Sequence, residues 1–185
     1  MARATPAPAS RKPQRRSGEA VPRVFPARRA GSRLIEGAPM HELSISRHIA
    51  APPGKVWDVL ANRQEEWWCP RPWWITLIAQ ERRPGGRSAM VMHGPDGEEM
   101  PQEGIFLAWD EGHRFVTTDA VTADFLPAGP FMVGIWEVEP EGEGTRYTAS
   151  ARHWTEEAMR EHAEMGFEAG WNACADQLQA LCEAD

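Results

Sequence analysis

From residue 75 to residue 153 the chain is cut at short intervals by turn-forming clusters, and this punctuation leaves room for little but short strands. The clusters are Pro84-Gly85-Gly86, Gly94-Pro95-Asp96-Gly97, Asp110-Glu111-Gly112 and Glu141-Gly142-Glu143-Gly144, with a longer loop holding Pro127, Gly129 and Pro130. Strand-like runs lie between them at 75–82, 87–93, 102–109, 113–118, 132–139 and 145–153. Turns this short join antiparallel neighbours, so the six runs read as a meander. A seventh strand precedes them. Over 41–49, Leu43, Ile45 and Ile49 alternate with polar neighbours, the period-two pattern of a half-buried strand.

Ala51-Pro52-Pro53 ends that first strand and opens a short helix over 55–60, with Val56, Trp57 and Leu60 on one face. A second short turn covers 65–68. The chain closes on a helical pattern that starts at Thr155, an N-cap followed by Glu156 and Glu157, where carboxylates suit the positive end of the helix dipole. Met159, Ala163, Gly166, Phe167, Gly170, Trp171, Cys174, Leu178 and Leu181 then recur at spacings of three and four. On one continuous helix they cover an arc of roughly 120°, the width of a face lying on a sheet. The class is therefore α+β: a seven-stranded antiparallel sheet, two short helices after the first strand and a long C-terminal helix.

At 185 residues and 42% hydrophobic, the chain holds one core plus an appendage. Residues 1–39 carry nine Lys/Arg against two Asp/Glu and are broken by six prolines, a composition expected to stay disordered. A transit-like peptide, a nucleic-acid-binding arm, or translated sequence ahead of a start at Met40 are the functional readings of that segment. Residues 40–185 reverse the balance, with eleven Lys/Arg against twenty-five Asp/Glu. An acidic body disfavours nucleic acid and anionic membrane as partners of the folded part, because phosphate binding needs Lys and Arg. No run of about 18 apolar residues free of charge occurs, so no membrane span is expected. Three cysteines, Cys69, Cys174 and Cys182, fit neither a disulfide framework nor a zinc site and suit a reducing cytoplasm. Cys174 and Cys182 stand about 12 Å apart along a regular helix, too far for a disulfide.

Nine tryptophans and eight methionines stand against a single tyrosine, so bulky apolar groups either fill the core or line a hole. Trp67, Trp68, Trp73 and Trp74 crowd ten residues, too close for all four to share one core. Gly166 and Gly170, on the helix seam, either leave room for a ligand or let the helix approach the sheet. Polar candidates are His93, Glu103, His153 and His162, whereas His41, His48 and His113 read as ordinary strand-end residues. If the face of Ile105 and Leu107 is the inner one, Glu103 points into a cavity or onto its rim. Burial would then raise its pKa unless a histidine or arginine pairs with it. Cys69, in a loop among tryptophans, reads as an inert, partly buried thiol, with a reactive thiol as the alternative. No GxSxG, GxGxxG, GKS/T or HExxH motif occurs.

The motifs in order, Ala51-Pro52 through Val56-Trp57, EEWWCPRPWW (65–74), RRPGGR (82–87), MHGPDGEE (92–99), QEGIF (102–106) and GFEAGW (166–171), resemble the START-like (SRPBCC) superfamily. Within it they are most similar to the family named for the activator of the heat-shock-protein-90 ATPase. The resemblance implies a helix-grip fold, a curved sheet wrapped around the terminal helix over residues 40–185, with a cavity between them for a small apolar molecule. The fold alone does not fix an activity, because binding proteins, cyclases and cochaperones share it, and the first reading is a non-enzymatic binding protein. The expected lining is Trp67, Trp68, Trp73, Trp74, His93, Glu103, Ile105, Trp136, Gly166, Gly170 and Trp171, with no catalytic residue, metal ligand or cofactor assigned. Two rivals stay open: a cyclase or hydrolase using Glu103 with a histidine, and a cochaperone-like interaction domain with a homodimer or protein partner.

Overall fold

Alternation in the first strand places Ile45 and Ile49 inward, both buried, and the strand they define, β1 (His41–Ile49), forms one edge of the sheet. The computed structural model describes residues 40–184; the basic segment 1–39 lies outside them. Pro53 opens α1 (Pro53–Asn62), whose inner side buries Val56, Trp57, Val59 and Leu60, and α2 (Gln64–Trp67) follows. The meander comprises β2 (Trp74–Gln80), β3 (Arg87–His93), β4 (Glu99–Asp110), β5 (Arg114–Thr118), β6 (Val133–Glu141) and β7 (Gly144–His153). Every strand pair is antiparallel, in the order β1-β7-β6-β5-β4-β3-β2, so the two short helices carry the chain from one edge to the other.

The long terminal helix is two helices. Thr155 caps α3 (Glu156–Glu164), its Oγ1 accepting from the Ala158 N–H at 3.1 Å, and α4 (Phe167–Glu183) starts after a break at Met165 and Gly166. Gly166 holds φ at +96°, a left-handed conformation that ends one helical run and aims the next. The continuous seam expected from the spacing therefore stops short: Ala163 and Gly166 are exposed, and only α4 delivers Phe167, Trp171, Cys174, Ala175, Leu178 and Cys182 to the core.

That core occupies the β1-β7-β6 half of the sheet under α1, α2 and α4. Small residues on β7, Ala149 and Ala151, face the helices, and Leu60, Val138, Tyr147 and Leu178 fill the space between. At the α1 side Glu111 accepts from the indole N–H of Trp57 at 2.8 Å and of Trp109 at 2.6 Å, which holds its carboxyl below the usual range. Among the described residues no helix is long and apolar enough to cross a membrane.

Candidate functional site

The other half of the sheet is not filled. On its inner face Ser88 of β3 pairs with Gly104 of β4, and Thr117 of β5 pairs with Gly134 of β6, so a band of small side chains crosses four adjacent strands. A cavity of about 300 Å³ remains above them. Met90, Met92 and Gln102 continue the strand wall, and the opposite wall is aromatic: Trp68 after α2, Trp171 of α4 and Trp136 of β6. At Gly134 a Cβ would meet the Trp136 ring at 2.5 Å, so glycine is what lets that indole lie along its own strand.

Each wall residue is held by a local device. Trp136 is stacked between Phe115 (centroids 4.9 Å apart) and Trp171 (5.6 Å), and Trp68 meets both Trp136 and Trp171 edge-on at 5.6 Å. Gln177 of α4 donates to the carbonyls of Trp67 and Cys69 at 2.9 and 2.8 Å, which fixes the backbone on either side of Trp68. Asp119, just past β5, accepts from the backbone N–H of Phe131 at 2.9 Å and of Met132 at 3.2 Å, bringing both side chains to the cavity. Among the described residues the indole N–H of Trp136 is buried without an acceptor.

His162 of α3 closes one end, its Nδ1 3.0 Å from Nε2 of His153 on β7. Burial lowers both imidazoles, His162 to about 4. The thiols move the other way: burial pushes Cys69 up to about 11, Cys174 to about 12 and Cys182 to about 11, as expected of inert cysteines. Among the described residues no group of three His, Cys, Asp or Glu side chains is placed to hold a metal ion.

Of the residues expected to line a cavity, Trp68, Glu103, Trp136 and Trp171 border this one, joined by His162 from the polar candidates. Trp67 does not: it is fully buried in the core and donates to the Val59 carbonyl at 3.1 Å. Trp74 is exposed and stacked on His93 at 4.0 Å, while His93 itself sits 3.1 Å from the Thr76 hydroxyl, away from the cavity. Trp73 packs beside Gly94. Gly170 lies near Pro70, and Gly166 is the helix break described above.

Ile105 is buried on the opposite face of β4, outside the main core, so the inner phase of this strand is Gln102, Gly104 and Phe106. Glu103 consequently turns away from the cavity interior to Arg87, at 3.1 Å, and this partner lowers its carboxyl instead of burial raising it. No histidine is bonded to it. The residues that sequence reasoning misses, Ser88, Gly104, Thr117 and Gly134, are visible only as a cross-strand band, and the sequence offers His153 and His162 only as separate candidates.

A family model for "Activator of Hsp90 ATPase homolog 1-like protein" matches residues 50–183. Among solved structures, a Nitrosomonas europaea protein is 36% identical with a TM-score of 0.71, over 76% of this chain and 92% of its own. A Mycobacterium smegmatis protein is 31% identical with a TM-score of 0.65, over 78% and 91%, and an Arthrobacter aurescens protein 28% identical at 0.66, over 76% and 85%. No curated protein matches. With a family model spanning most of the chain and a relative above 30% identity sharing its fold, the protein belongs to the activator of Hsp90 ATPase homolog 1-like family and carries its START-like, helix-grip fold.

Proposed function

We propose that the protein binds one small, uncharged, largely apolar molecule in the cavity between the sheet and the C-terminal helices. The observation that carries the reading is the space itself. Interiors pack densely, and about 300 Å³ left open by four small residues on four neighbouring strands is far more than a packing defect. It lies at the small end of the range for ligand sites, about 300–1,000 Å³, which suits a molecule of one or two rings better than a long-chain lipid. The aromatic wall supplies apolar contact area, and the charged groups at the rim, Arg87 with Glu103 and Asp119 with two backbone N–H groups, are already partnered. An acid–base role for Glu103 with a histidine loses its geometry, because its partner is Arg87.

The test uses 2-naphthol and isothermal titration. Wild type is expected to bind it, whereas Met90→Trp, which fills the cavity from β3, abolishes binding while the circular-dichroism spectrum stays native. Ser88→Leu, a smaller filler, serves if Met90→Trp does not fold. Binding that survives both substitutions, or no binding to wild type, overturns the proposal.

A further inference from the structure

His153 and His162 come from different elements, the end of β7 and the last turn of α3, and are each 8% exposed. Their ring nitrogens, His153 Nε2 and His162 Nδ1, are 3.0 Å apart, so one of the two must carry the proton that joins them. Which one is decided a step away. His153 Nδ1 lies 3.4 Å from the carbonyl oxygen of His41, and a carbonyl only accepts. The proton of His153 therefore sits on Nδ1, and in a neutral ring this leaves Nε2 bare. His162 must then donate from Nδ1, and its own Nε2 is left with an unshared lone pair. Burial favours the neutral form of both rings, which is what this assignment requires.

His162 borders the cavity, and the groups packed on its ring are Phe131 at 4.7 Å, Phe167 at 5.0 Å and Trp171 at 6.1 Å, none of which donates a hydrogen bond to it. Among the described residues Nε2 has no hydrogen-bond partner in the protein. We infer that the chain His41 carbonyl, His153, His162 fixes a hydrogen-bond acceptor at His162 Nε2, and that this acceptor selects ligands bearing a hydroxyl group, such as a phenol, enol or alcohol. The inference rests on the cavity reading above and adds the polarity of its anchor. A carboxylate would meet a lone pair rather than a donor there and is disfavoured. An ether of the same shape fills the same space with nothing to donate. His162 is thus the specificity-determining residue, and His153 positions it by fixing its tautomer.

Two measurements on the full chain test this. In titrations, wild type is expected to bind 2-naphthol about tenfold more tightly than 2-methoxynaphthalene, the value of about one hydrogen bond. His162→Phe should keep the affinity for the ether and lose the preference. Equal affinity of wild type for the two probes overturns the acceptor assignment while leaving the cavity reading standing; binding of neither probe removes both. The second measurement needs no ligand and no variant. Nitrogen-15 NMR of the imidazoles should show the proton on Nδ1 in both His153 and His162 near pH 7, and an Nε2–H form of His162 overturns the inference whatever the titrations give.

Discussion

Two buried imidazoles in contact make the fold sensitive to acid. The folded protein holds His162 near 4, against 6.5 for a free side chain, so between those values the unfolded chain takes up the proton first. The corresponding stability is present in full above about pH 6.5 and is lost as the pH falls toward 4. It amounts to about 3 kcal/mol. Urea unfolding at pH 7 and pH 4.5 should show the loss, and His162→Phe should flatten it; an equal slope in the variant would place the acid sensitivity elsewhere. Trp171, buried and stacked on Trp136, is expected to cost about 3–5 kcal/mol on replacement by alanine, read from the same denaturation curves. The three thiols, all buried and shifted upward, should resist an aromatic disulfide reagent at pH 8 until the protein is unfolded; fast reaction of a native thiol would contradict the packing at Cys69, Cys174 or Cys182.

Elements fold here from patterns that are readable locally, and they fail to be readable where one backbone angle decides. β1 and β3 match the sequence reading residue for residue, because alternation and flanking turns are both contained in the segment. The C-terminal pattern instead runs through spacings of three and four without interruption, and nothing in that period marks residue 166 as left-handed. Gly166 is the price of aiming α3 and α4 separately. A Cβ there would meet no atom within 4 Å, so Gly166→Ala should cost about 1 kcal/mol from the positive φ alone, seen as a lower melting temperature. An unchanged melting temperature would mean that the break is tolerant of a helical residue. β4 posed a different difficulty. It carries apolar groups on both faces, Phe106 on one and Ile105 and Leu107 on the other, so alternation alone could not assign its phase.

At the scale of the whole molecule, the buried set among the described residues runs from Ile45 to Cys182, and β1 starts at His41. Because residues 1–39 are rich in proline and arginine and lack apolar periodicity, a chain beginning at Met40 is expected to melt at the temperature of the full protein, and a fall of several degrees would show that residues 1–39 contribute to the fold. The sequence by itself determined the class, the seven strands, the positions of the turns and the helical C-terminus, because each depends on residues adjacent in the chain. It also made Trp68, Trp136 and Trp171 candidates, since nine tryptophans and eight methionines are many bulky groups for one core, and all three border the cavity. Only the tertiary structure decided that Trp67 is core while Trp68 is wall, that Glu103 answers to Arg87, and that His153 lies against His162. It alone made the cavity, for Ser88, Gly104, Thr117 and Gly134 are neighbours only through strand register. Such pairings bring together residues more than a dozen positions apart, and a pattern of period two or 3.6 records which face a residue takes but not which residue stands opposite.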